Sequence, residues 1–132
     1  MKTTINMAVI ENLLKDKGYS SQYNEAGQYV KIILPDNDYW GQGHVHYEIN
    51  KSKNGIQLSF DVEGKFAKNK NVLEFIESAF KMEKLFKDKI SANYGVRFIM
   101  KTMKKDSTEN ELVDSMIELI KNTKIYTTNL KI

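Results

Sequence analysis

At 132 residues the chain has the size of one domain, and its 41% hydrophobic and 28% charged residues are a globular composition, which excludes a disordered chain. There is no cysteine, which excludes disulfides, thiolate metal sites and cysteine nucleophiles. The net charge of +3 is concentrated in residues 51–105, with 13 basic against 6 acidic groups, yet Arg97 is the only arginine, and base reading or bidentate phosphate recognition favours the guanidinium fork over lysine.

Ile5, Val9, Ile10, Leu13 and Leu14 share one stripe, so the spacing predicts a first helix from about Ile5 to Lys17. Thr3 or Thr4 can cap its start, and Gly18 supplies a left-handed stop. No apolar run approaches the roughly 18 residues of a membrane helix, and charge interrupts the N-terminal stretch too early for a secretory signal, so the expected location is the cytoplasm. After a polar stretch, residues 28–34 (QYVKIIL) read as a strand that Pro35 closes. The loop PDNDYWGQG follows, rich in turn formers, with Asp38, Tyr39 and Trp40 as candidate contacts to a partner.

Residues 44–63 alternate as a hairpin. Val45, Tyr47 and Ile49 share a face with Ile56, Leu58, Phe60 and Val62, while His44, His46 and Glu48 share the other with Gln57, Ser59, Asp61 and Glu63. Asn54-Gly55 is the preferred pair for a tight type I′ turn, and that turn puts Glu48 opposite Asp61, His46 opposite Glu63 and His44 opposite Lys65. A wider turn instead pairs His44 with Asp61 and His46 with Ser59.

A second helix is expected from about Val72 to Lys87, capped by Asn71 with Glu74 three residues on, with Phe75, Ile76, Ala79, Phe80 and Phe86 on its apolar side. Residues 96–103 (VRFIMKTM) read as a fourth strand. A third helix starts after Ser107 or Thr108, where Glu111 completes another capping box and Leu112, Val113, Met116, Ile117, Leu119 and Ile120 face inward. Residues 123–132 are left as an edge strand or a tail. The expected architecture is one α+β domain over residues 1–132, in the order α-β-β-β-α-β-α, with a mainly antiparallel sheet covered on one face by helices.

The polar side of the hairpin carries the only arguable chemistry. Two carboxylates directly opposite one another repel, so Glu48 facing Asp61 requires a lysine, a protonated His46 or a metal ion between them. Glu63-Gly64-Lys65 resembles the (D/E)-x-K triplet of the PD-(D/E)XK nucleases, and the expected helix, three strands, helix and strand resemble their core. That resemblance implies Mg²⁺ held by Glu63 and a partner acid, Glu48 or Asp61, with Lys65 positioning the attacking water and Glu11 as a further carboxylate. Gly64 departs from the apolar strand residue usual there. His44-x-His46 resembles the opening of the cupin pattern, whose later glutamate and glycine spacing is not met here. On that reading His44, His46 and Glu48 are candidate ligands of a transition metal, with Asp61 and Glu63 nearby. The plain alternative is a hairpin face that is polar because it lies in water.

No phosphate loop, dinucleotide fingerprint or Ser-His-Asp set is present. The expectation is therefore a non-enzymatic module without a cofactor, an adaptor, inhibitor or accessory factor of the kind found in phage and defence systems. It engages a protein rather than nucleic acid or membrane through Asp38, Tyr39, Trp40, His44, His46 and Glu48. A leading helix followed by an antiparallel sheet also resembles the small secretion-chaperone fold, which commonly dimerises, so a homodimer stays open. The divalent-metal nuclease is the alternative.

Overall fold

The computed structural model describes residues 5–33, 45–63, 74, 85–88 and 95–128. The loop with Asp38, Tyr39 and Trp40, as well as His44, Gly64, Lys65 and residues 129–132, lies outside them.

Helix α1 spans Met7–Asp16. Its cap is Asn6, not Thr3 or Thr4: Asn6 Oδ1 accepts from the amides of Ala8 at 3.0 Å and Val9 at 3.4 Å. At the other end Gly18 takes φ +88°, its N–H reaches the Lys15 carbonyl and that of Tyr19 the Leu14 carbonyl, the two bonds of a Schellman stop. Met7, Ile10 and Leu14 are buried, but Val9, expected on the stripe, is 39% exposed.

Six strands form one sheet in the order β1-β2-β3-β4-β6-β5, every neighbour antiparallel: β1 Ser20–Asn24, β2 Tyr29–Ile33, β3 Val45–Ser52, β4 Gly55–Glu63, β5 Leu85–Asp88 and β6 Gly95–Met103. Helix α2, Glu109–Thr128, closes the described chain. The class is α+β as expected, but the order differs.

Two strands were not expected. Strand β1 is polar (SSQYN), and α1 secures it with polar bonds: the Ser21 hydroxyl donates to the Glu11 carbonyl at 3.0 Å, and the Tyr23 N–H donates to Glu11 Oε2 at 2.6 Å. Strand β5 takes Leu85–Asp88 out of the helix expected to reach Lys87, because pairing with β6 satisfies backbone groups that β6 would otherwise leave open. Glu74 is helical, and residues 72–73 and 75–84 of that expected helix lie outside the described residues. The α-β-β-β-α-β order behind the nuclease resemblance is therefore not the order found.

Helix α2 starts as its capping box requires. The Thr108 N–H donates to Glu111 Oε1 at 3.0 Å and the Glu111 N–H to Thr108 Oγ1 at 3.2 Å. It runs through Thr128, so residues 123–128 are helix, neither strand nor tail. The core lies between the two helices and one face of the sheet: Ile10 and Leu14 from α1, and Leu112, Val113, Met116 and Ile120 from α2, cluster with Val30, Ile32, Tyr47, Ile49, Leu58, Phe60 and Phe98. Tyr47 packs edge-on against Phe60 with ring centres 5.4 Å apart. Among the described residues no helix is long and apolar enough to cross a membrane.

Candidate functional site

The turn of the β3–β4 hairpin fixes what its polar residues meet. Ser52 pairs with Gly55, so the turn residues are Lys53 and Asn54, not Asn54 and Gly55. Neither has positive φ, so this is not a type I′ turn. Gly55 has φ +150°, and a Cβ there would lie 2.3 Å from the Met103 carbonyl oxygen, so only glycine lets β4 start against the end of β6. The resulting register is neither of those expected: His46 lies opposite Asp61, and Glu48 opposite Ser59. On the other side of β4, Asp61 lies opposite Arg97 of β6, past an irregularity at Leu58/Ser59.

Three central strands thus bring His46, Glu48, Ser59, Asp61 and Arg97 together on the sheet face opposite the helices. This face is not a wet hairpin surface. His46, Ser59 and Asp61 are fully buried and Glu48 is 2% exposed. Arg97 is the hub: its Nε lies 3.2 Å from both Asp61 oxygens, and its Nη2 donates to Asp61 Oδ2 and to Glu48 Oε1, each at 3.0 Å. Ser59 Oγ donates to Asp61 Oδ1 at 2.9 Å, and Asn50 Nδ2 to Glu48 Oε1 at 2.9 Å. His46 Nε2 stands 3.1 Å from Glu48 Oε2 and 3.7 Å from Asp61 Oδ2, while its Nδ1 is buried with no hydrogen-bond partner among the described residues.

Burial raises the Glu48 carboxyl above its ordinary range. The hydrogen bond to His46 opposes this, the charge of Asp61 adds to it, and Arg97 opposes it again.

Of the nuclease set, then, Glu48 and Asp61 converge, joined by His46. Glu63 sits on β4 at the Gly95 register position, and Lys65 lies outside the described residues. Glu11 is not part of the cluster, since its carboxylate is taken by Tyr23 N–H and Lys15. Arg97 was not among the candidate site residues. Its signal was available: one guanidinium among many lysines, in an apolar strand where only a paired charge is tolerable. A separate cleft of about 370 Å³ opens where Lys17 and Tyr19 meet Asp114, Ile117 and Lys121 of α2, with no lining residue from β3, β4 or β6. No protein-family model, no curated protein and no solved structure matches the chain.

Proposed function

We propose that the chain is a small non-enzymatic binding domain for a protein partner, with the His46–Glu48–Asp61–Arg97 cluster fastening the sheet from inside. The observation that supports this reading is enclosure. A nuclease must bring a phosphodiester to its metal and water, whereas His46 and Asp61 are fully buried and Glu48 is 2% exposed. Their buried side chains also remove His46 and Glu48 from the contact surface first expected of them. Contact with the partner falls to Asp38, Tyr39 and Trp40 and to the exposed hairpin tip at Lys53 and Asn54.

The test is crosslinking of the tagged full chain to its protein partner, mapped by mass spectrometry. The partner should crosslink near the 35–43 loop, and Tyr39→Ala and Trp40→Ala should lower its affinity while Glu48→Gln changes stability alone. Cleavage of linear or branched DNA with Mg²⁺ or Mn²⁺, lost in a folded Glu48→Gln variant, would overturn this reading in favour of the nuclease.

A further inference from the structure

We propose that His46, Glu48 and Asp61 form a structural site for one divalent first-row transition ion of the Zn²⁺ or Mn²⁺ class, taken up as β3 pairs with β4. Their ligand atoms lie within 4.8 Å of one another, with Nε2 3.1 Å from Glu48 Oε2 and 3.7 Å from Asp61 Oδ2. Ligands at about 2.1 Å from one ion stand roughly 3–3.5 Å apart, close to the two distances from His46 Nε2.

The outer contacts are arranged as an outer shell would be. Each carboxylate has one oxygen anchored by two protein donors: Glu48 Oε1 by Asn50 and Arg97, and Asp61 Oδ1 by Ser59 and Arg97. The other oxygens, Oε2 and Oδ2, stand toward His46, although Oδ2 also accepts from Arg97 Nε at 3.2 Å and Nη2 at 3.0 Å. A second feature is the histidine itself. It is fully buried, its Nε2 is aimed between two carboxylates, and among the described residues its Nδ1 meets no partner.

The donor chemistry selects the ion. One imidazole and two carboxylates suit Zn²⁺, Mn²⁺, Fe²⁺ or Co²⁺ better than the all-oxygen cages of Ca²⁺ or Mg²⁺. Two carboxylates neutralise a divalent ion in its inner shell, while Arg97, with a side chain 13% exposed, keeps its own charge partly in contact with water. Metal at Nε2 moves the ring proton to Nδ1, which has no acceptor among the described residues, so affinity falls roughly 10–100-fold short of a site with a complete outer shell. Because the ligands are buried, the ion enters during folding and holds β3 to β4.

The test uses the full chain, stripped with a chelator and refolded with Zn²⁺, Mn²⁺ or Co²⁺. One equivalent should bind by native mass spectrometry and raise the unfolding midpoint, and Co²⁺ should give a visible absorption band. The chain has two histidines, so His44→Ala isolates His46, and its ring ¹⁵N signals should shift on Zn²⁺ addition with full binding retained. His46→Gln should lose binding at least tenfold, and Ser59→Ala, which spares all three ligands, roughly 10–100-fold. No saturable one-to-one binding of any of the three ions by the wild-type chain would overturn the site. So would binding lost in His44→Ala but kept in His46→Gln. Either result leaves the protein-binding reading where it stood, since that rests on the enclosure of these side chains and not on what they bind.

Discussion

In its central strands the two faces of this sheet are both buried and are held by opposite means. On one, Tyr47, Ile49, Leu58, Phe60 and Phe98 pack against α1 and α2, and the stabilisation is roughly proportional to apolar area removed from water. On the other, one strand residue further along, His46, Glu48, Ser59, Asp61 and Arg97 form a closed polar network. The first tolerates approximate packing and loses stability gradually. The second depends on every partner, because a buried charge deprived of its counter-charge has no water to turn to.

The comparison breaks most sharply at Arg97. Arg97→Met leaves Glu48 and Asp61 buried without their guanidinium and should cost roughly 3–5 kcal/mol in urea unfolding. Replacing Glu48, Asp61 and Arg97 together by Leu, Val and Met should cost less than Arg97→Met alone, since the penalty comes from unpaired charge rather than from lost attraction. If the triple variant is worse than the single one, lost attraction outweighs the penalty of unpaired charge.

The next effect belongs to the hairpin that sets which residues share each face. Gly55→Ala places a Cβ 2.3 Å from the Met103 carbonyl oxygen in a backbone conformation with φ +150°, and should destabilise by on the order of 3 kcal/mol. Because both faces depend on this register, the variant should disturb the amide signals of His46 and Phe60 alike.

The register is also where sequence reasoning stopped. Alternation divided the hairpin residues correctly between the two faces, and the caps at Gly18 and Thr108–Glu111 were legible because their signals are local. Whether the polar face is wet was not legible, since polarity on alternate residues reads the same under water as under protein. Asn54-Gly55 pointed to a type I′ turn, but close approach to Met103, a contact made 48 residues away, assigns Gly55 another task. Strand β1 carried no apolar alternation because a helix carboxylate and carbonyl hold it. Arg97 could be noticed from its type, but its partnership with Asp61 depends on the β4–β6 pairing, which no local pattern encodes.

The helix-covered face also carries a polar tie to α2. Tyr47 Oη lies 2.6 Å from Thr123 Oγ1, whose proton is directed to the Leu119 carbonyl at 2.7 Å, so tyrosine is the donor. Tyr47→Phe should cost about 1 kcal/mol, and a double cycle with Thr123→Val should show most of that as coupling. On the polar face, the same size of change, Ser59→Ala, removes one of several donors to Asp61, and its effect should be spread over the network.

The smallest effect concerns two carboxylates in opposite settings, one on each side of the sheet. Glu111, at the start of α2, is exposed and bonded to the Thr108 N–H and hydroxyl, which lowers its carboxyl below the ordinary value of 4.5. Its contribution is therefore full above that value and is lost as pH falls through the lowered one. Glu48 has the opposite sign: burial raises it, so its ionised form costs stability as pH rises from 4.5 through the raised value. In chelated protein, Glu111→Gln should flatten the acid limb of a stability–pH curve, and Glu48→Gln the limb above it. A Glu48→Gln curve that changes only on the acid side would mean that Arg97 and His46 outweigh burial, and that the polar face behaves electrostatically like an exposed ion pair rather than a buried one.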